Sequence, residues 1–284
     1  MIQLKKIDVL FLSYVFITSI LIVLTWNNTD KSLELLITRG VIVLISLSLI
    51  YFDTKFKSTL LNLARNCYPI IFSLHFYTET VFFNKLFFSN LDSYLMQLDY
   101  LIFGFQPSLS FSVYFSNPYF SELMYIGYFS FYLLIISFVL ISYFKLKNNA
   151  DLIFFKFTAC MLLFYLFFSF FPAAGPQFYF PLPEKNLPSA FVFDKIMHFL
   201  QQAEQPTGAF PSSHVGISLT IVFLMRKRFP LFIKIIIPFV IILLLSTVYI
   251  KAHYVVDVIG ALLFTPIFLY IAGLLYKKMP NFKK

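Results

Sequence analysis

Charge is scarce in this chain of 284 residues, with Asp, Glu, Lys and Arg together making up 12%. Soluble domains carry about a quarter charged residues, so a water-facing surface cannot be covered here. Cysteine is nearly absent too. Cys67 and Cys160 are the two in the chain, which excludes a disulfide framework and offers no metal-ligand spacing. Glycine is rare, at eight residues, and no repeat, low-complexity tail or separate soluble domain is present. What remains is apolar: 60% of residues are hydrophobic, including 40 Phe and 18 Tyr. A soluble core of this length cannot absorb that surface, and a bilayer can.

A spanning helix needs about 20 mostly apolar residues. Eight stretches qualify as candidates: 7–25, 35–52, 67–83, 122–144, 151–171, 213–225, 231–250 and 255–276, the sixth being short. The fold class expected is an all-α, polytopic membrane bundle of about six to eight transmembrane helices. The first stretch follows Lys5-Lys6 as a signal peptide would, but it lacks a small-residue cleavage site and is long, so it reads as a retained span. The net charge of +9 is topological rather than a nucleic-acid footprint. Eight spans put Lys31, Arg39, Lys85, Lys185, Lys195 and Lys251 on one side and the remaining basic residues on the other. That positive-inside bias places both termini in the cytoplasm. A Phe/Ile/Lys bias adds a hint of a bacterial inner (cytoplasmic) membrane.

The longest segments between spans, 84–121 and 172–212, then share the outer, extracytoplasmic face. The first, rich in Phe, Tyr and Ser, reads as a segment lying in the interface. The second holds Pro172, Pro176, Pro181, Pro183, Pro188 and Pro206, and reads as a stiff, irregular lid.

Two stretches carry the chemistry: Gly208-Ala209-Phe210-Pro211-Ser212-Ser213-His214 and Lys251-Ala252-His253-Tyr254-Val255-Val256-Asp257. The basic turn Arg226-Lys227-Arg228 between two apolar runs returns His253 to the face that His214 occupies. A histidine pair with an Asp four residues after one member looks like a phosphoryl-transfer site. On a helix, His253 and Asp257 share one face, where the carboxylate fixes the ring tautomer and frees the other nitrogen as a nucleophile. An interfacial His with a capping Asp is the alternative. Ser212 or Ser213 caps a helix whose N-terminus suits an anionic phosphate, and His214 stands where a general acid would. Taken alone, that stretch also reads as a Ser-capped helix with a surface His. Lys251 is a rare cation on the outer face, suited to phosphate contact, or to snorkelling.

These stretches resemble the signature of the type 2 phosphatidic acid phosphatase superfamily: Lys-x6-Arg-Pro, Pro-Ser-Gly-His and Ser-Arg-x5-His-x3-Asp. The second part reads Pro211-Ser212-Ser213-His214, and the third reads Ser246-Thr247-x5-His253-x3-Asp257. Thr247 replaces the third part's Arg, and no Lys-x6-Arg-Pro occurs. Phe171-Pro172-Ala173-Ala174-Gly175-Pro176-Gln177, with Asp99-x3-Phe103-Gly104-x2-Pro107 and Glu122-x5-Tyr128-x3-Tyr132, is similar to the branch containing inositol phosphorylceramide synthases. The resemblance implies two units: N-terminal membrane helices at 1–66 and a phosphatase-like catalytic membrane domain at 67–284.

It also implies that His253 attacks a lipid phosphate or phosphodiester to form a phospho-histidine, with Asp257 orienting it and His214 protonating the departing oxygen. Ser212, Ser213, Lys251 and Gln177 would bind the phosphate, with Lys251 one helical turn from Thr247 supplying the missing charge. No metal or cofactor is implied. The expected partners are a membrane lipid phosphate, the bilayer, and water or a hydroxyl acceptor, the choice of acceptor separating phosphatase from transferase. A lipid transporter and a non-catalytic lipid-binding relative are the other classes. His75 with Glu79 reads as a buried or interfacial polar pair, Asp99 and Glu122 as structural residues or ligands of the lid or a head group, and His198 is assigned no role.

Overall fold

The computed structural model describes residues 3–146, 150–183 and 186–280. Four lysines of the charge count, Lys147, Lys185, Lys283 and Lys284, lie outside the described residues. The described residues form α-helices with no strand: α1 (Lys6–Leu24), α2 (Ser32–Phe56), α3 (Thr59–Glu79), α4 (Asp92–Phe103), α5 (Pro107–Tyr114), α6 (Pro118–Lys145), α7 (Ala150–Phe168), α8 (Pro176–Tyr179), α9 (Phe193–Ala203), α10 (Ser213–Met225), α11 (Pro230–Tyr249) and α12 (Val255–Lys278). Six of them, α1, α2, α6, α7, α11 and α12, are long and apolar enough to cross a membrane. The protein is a multi-pass, all-α membrane bundle.

The other two expected spans differ for physical reasons. α3 begins at Thr59, eight positions before the apolar run, because its first turns carry Asn62, Arg65 and Asn66. Buried partners hold that polar end. Arg65 pairs with Asp8 of α1 and, at 3.0 Å, with Asp53 of α2. At the far end of α3, Glu79 pairs with Arg39 of α2 at 2.6 Å and with His75 at 2.9 Å. Arg39, one of the basic residues assigned to the outer side, is therefore buried within α2. Residue 67, where the second unit was drawn, falls inside α3. α10 has 13 residues and spans about 20 Å at 1.5 Å per residue, short of the roughly 30 Å hydrocarbon thickness.

α7 is the hub. It is buried on nearly every side, from Ile153 to Phe168, as a helix that is apolar all round must be, and it packs against α12, α10, α3, α1 and α6. Gly216 lets α10 approach it closely: a Cβ there would sit 2.0 Å from Phe164 Cζ. Small residues at such crossings are how helices pack tightly in lipid.

The two long segments are more helical than their composition implies. In 84–121, α4 packs on α12 and α5 on α11. The lid, expected to be irregular, contains α8 and an 11-residue helix, α9, that lies against α6. Glu122 sets the start of α9, its carboxylate accepting from the backbone N–H groups of Phe191, Val192 and Phe193 at 3.0 Å each. Of its two expected partners, the lid is the one found.

Candidate active site

Three backbone segments meet at the ends of α10 and α12. Ser212 is the N-cap of α10, its hydroxyl accepting from Val215 N–H at 3.4 Å. Its own N–H donates to the Asp257 carbonyl at 3.0 Å, joining α10 to α12. Ser213 opens the helix and is buried, and His214 follows it. The α11–α12 turn, 250–254, carries Lys251 in the left-handed region at φ 63° and His253 after it. The third segment, 173–177, lies along both: Ala209 N–H donates to Ala173 O at 3.0 Å, and Gln177 N–H to Lys251 O at 2.8 Å. Gly175 makes that contact possible. Its φ is +95°, and a Cβ would lie 2.6 Å from the Ala252 carbonyl.

α4 pins these segments with two buried carboxylates. Asp92 accepts from Ala174 N–H and Gly175 N–H at 2.7 Å each. Asp99 accepts from Val255 N–H and Val256 N–H at 2.9 Å each, capping α12 from outside. Burial pushes the Asp99 carboxyl above its usual range, and the two N–H donors oppose that shift. Asp99 is thus a support of the site.

The structure brings His214, His253 and Asp257 together. His253 is 3% exposed. Its Nδ1–H is shared between the Ala209 carbonyl at 2.9 Å and Asp257 Oδ2 at 3.3 Å. His253 sits in the turn before α12 rather than on the helix, so the pairing with Asp257 is a cap-and-turn contact, not the shared helix face expected. Asp257 Oδ2 also accepts from Tyr254 N–H at 2.8 Å, which makes the carbonyl the closer holder of the tautomer. The remaining nitrogen, His253 Nε2, faces His214 Nδ1 at 3.5 Å. Burial pushes the His253 imidazolium down to about 4, against the raising effects of the Glu204 charge and the Ala209 carbonyl. The ring is neutral at pH 7 and its Nε2 lone pair is available.

Lys251 and Gln177 go elsewhere. The Lys251 amine donates to Ser112 Oγ of α5 at 2.6 Å and to the Asn186 carbonyl of the lid at 3.0 Å. Burial lowers its pKa to about 8. It does not share a helix face with Thr247, because α11 ends at Tyr249 and the left-handed turn at Lys251 redirects its side chain. Thr247 bonds back to Leu244 O at 2.8 Å. Gln177 Nε2 donates to Glu204 Oε2.

Sequence reasoning missed two side chains beside His214. Its Nε2 lies 2.9 Å from the Tyr128 hydroxyl, which donates to Glu204 Oε1 at 2.7 Å. The Tyr128 and Phe131 rings, with centroids 4.8 and 4.6 Å from that of His214, hold the imidazole in place. Burial pushes the Glu204 carboxyl above its usual range, with the Gln177 and Tyr128 donors and His253 opposing. Tyr128 was visible only as part of a motif with no role attached. Glu204 lies in Gln201-Gln202-Ala203-Glu204-Gln205, a run that looks like an ordinary polar loop. His198 remains on the lid surface, paired with Asp194 at 2.9 Å.

Comparison with known proteins returns one family. Its model, described as the PAP2 superfamily, matches residues 93–271. That span contains α4 from its second residue, the lid, both histidine stretches and most of α12. No curated protein and no solved structure matches the chain. Matched over more than half its length, with the family's histidines facing each other, the chain belongs to the PAP2 superfamily, that of the type 2 phosphatidic acid phosphatases.

Proposed function

We propose that this protein, for which superfamily membership supports a function of the phosphatase or phosphotransferase kind, acts on a membrane lipid phosphate or phosphodiester through a phospho-histidine. His253 Nε2 attacks phosphorus and the P–O bond to the leaving group breaks. A proton on His214 Nδ1 passes to the departing oxygen. Ala209 O and Asp257 keep the other His253 nitrogen protonated, which supports the charge that the ring acquires on attack. Ser212, Ser213 and the first turn of α10 face the phosphoryl oxygens, where a helix N-terminus favours an anion. In the second step the acceptor oxygen attacks phosphorus, the N–P bond breaks to return the lone pair to His253 Nε2, and His214 takes the acceptor's proton. Lys251, already engaged by Ser112 and Asn186, braces α5 and the lid rather than the phosphate.

The observation that carries this reading is the 3.5 Å separation of His253 Nε2 from His214 Nδ1, with His253 Nδ1–H held from behind. Charge asymmetry supports termini in the cytoplasm and a site at the extracytoplasmic face, and the Phe/Ile/Lys bias supports a bacterial inner membrane.

Transfer to a lipid or sugar hydroxyl, as in the inositol-phosphorylceramide-synthase branch, is favoured over hydrolysis by one feature. The lid lies over the site through Gln201 and Glu204, and His253 is almost wholly covered. Excluding bulk water lengthens the life of a phosphoryl intermediate and lets a bound hydroxyl compete. The test is purified protein incubated with labelled phosphatidic acid and labelled phospholipids, with and without alcohol acceptors. Acid-labile phosphoprotein should appear in the parent and vanish in His253→Ala, with label then passing to free phosphate or to a new phosphodiester. Equal lipid turnover in parent and His253→Ala would refute the mechanism.

A further inference from the structure

Resting on that reading, we propose that Tyr128 and Glu204 are positioning residues for His214: they hold it as the Nε2–H tautomer and stabilise its cation, so that Nδ1 carries the proton given to the leaving oxygen. The Gln201 and Gln177 orientations follow from a fixed end, and the Tyr128 proton points to Glu204 when that carboxyl is ionised. The Ile250 carbonyl can only accept, so the Gln201 amide nitrogen faces it, at 3.1 Å. The same nitrogen donates to Gln177 Oε1 at 3.1 Å. Gln177 must then present its own nitrogen to Glu204 Oε2. Tyr128 donates to the other carboxylate oxygen. Two donors converge on Glu204, the arrangement that suits an ionised, acceptor-only carboxylate.

A phenol has one proton. With that proton on Glu204, the Tyr128 oxygen is an acceptor toward His214, and the ring nitrogen 2.9 Å away carries hydrogen. On the other side of the pair, His253 Nδ1–H is spent on Ala209 O and Asp257. Its Nε2 therefore presents a lone pair to His214 Nδ1. Before a substrate binds, burial and the neighbouring His253 disfavour a His214 imidazolium. A lipid phosphate beside the pair brings negative charge that, with Glu204, favours the cation. The proton on Nδ1, facing His253 Nε2 at 3.5 Å, is the one for transfer.

In the first step the His253 N–P bond forms, the P–O bond breaks, and the Nδ1 proton moves to the departing oxygen. His214 is left neutral with Nε2–H unchanged. The positive charge of the protonated state is balanced by Glu204 two hydrogen bonds away. The other titratable groups near Glu204 are His253 and the phenols Tyr77 and Tyr132; none of these is a carboxyl group. This explains a carboxylate in a site meant for an anion: it lies behind the general acid. The site holds a carboxylate relay behind each histidine, Asp257 for the nucleophile and Glu204 through Tyr128 for the acid.

The test uses full-length Tyr128→Phe and Glu204→Gln with two substrates. One is a lipid phosphate whose alkoxide needs a proton to leave. The other is p-nitrophenyl phosphate, whose nitrophenolate does not. General-acid assistance contributes about 100-fold or more. Phospho-histidine formation from the lipid should fall about 100-fold in both variants, while the nitrophenolate burst stays within a few-fold of the parent. Equal losses for both substrates, or none, overturn the proposal and leave the histidine mechanism standing. A parent that forms no phospho-histidine overturns both. If a variant fails to fold, ¹⁵N NMR of histidine-labelled parent protein, which has four histidines, still decides. Nε2 of His214 should be protonated, and a bare Nε2 overturns the assignment.

Discussion

Asp99 stands outside both histidine stretches, yet the position of His253 depends on it. It makes two hydrogen bonds, to Val255 N–H and Val256 N–H, and is itself fully buried. Hydrogen bonds to a charged group contribute about 1.5–3 kcal/mol each. Asp99→Ala removes both and leaves two N–H groups at the start of α12 facing a small void. Relaxation and entering water recover part of the loss, so a net cost of about 3 kcal/mol is expected. A domain of 150–250 residues loses about 2–4 °C in Tm per kcal/mol, which makes the expected drop about 6–12 °C. The catalytic effect should be larger in proportion, because Val255 is two residues from His253 and misplacement by about 1 Å costs on the order of 100-fold. Asp99→Asn retains one acceptor and turns an amide N–H toward a backbone N–H, so it should fall between parent and Asp99→Ala in both respects. The assay is thermal unfolding in one detergent, beside lipid turnover at saturating substrate. Parental Tm and parental turnover in Asp99→Ala would refute the view that α4 holds the catalytic turn.

Three other substitutions or conditions test separate parts of the structure. Because folding lowers the His253 pKa from about 6.5 to about 4, the unfolded chain binds more protons between those values; this residue's stabilising effect is complete above pH 6.5 and lost as pH falls toward 4. Thermal unfolding should show that slope, flattened in His253→Gln. Phospho-histidine formation should keep its nucleophile neutral down to about pH 5. Lys251→Met should lower thermal stability by about 2 kcal/mol, through the lost contacts to Ser112 and Asn186, while KM for a lipid phosphate stays within three-fold; a tenfold rise in KM would restore Lys251 to the phosphate. Gly216→Ala should destabilise by about 1–3 kcal/mol, since its Cβ meets Phe164 of the central helix, and an unchanged Tm would show that α7 and α10 can part without cost.

Hydropathy and capping located most of the helices closely. The reading 213–225 coincides with α10, and 255–276 differs from α12 only at its C-terminal end. Both depend on local signals, a Ser cap or an apolar run. α3 was misjudged because Arg65 and Asn66 look like water-facing residues, and nothing in the local sequence reveals that Asp8 and Asp53 wait for Arg65 in the fold. α9 was missed because six prolines surround it and its helical pattern buries few side chains, chiefly Met197. The His253-x3-Asp257 spacing picked out two residues that are in contact, but the contact arises at a helix cap rather than on a shared helix face.

By itself the sequence determined that this is an all-helical membrane protein, and it singled out His214, His253 and Asp257, which the fold brings together. Apolar run length, cap residues and motif spacing are properties of neighbouring residues, so they survive without coordinates. Only the tertiary structure decided where each polar atom points. Lys251 was drawn toward Ser112 by a left-handed backbone turn, and Glu204 reached His214 through Tyr128, 76 positions away. Such choices depend on which donors and acceptors the packing of separate helices leaves within 3 Å. No one-dimensional pattern contains that information.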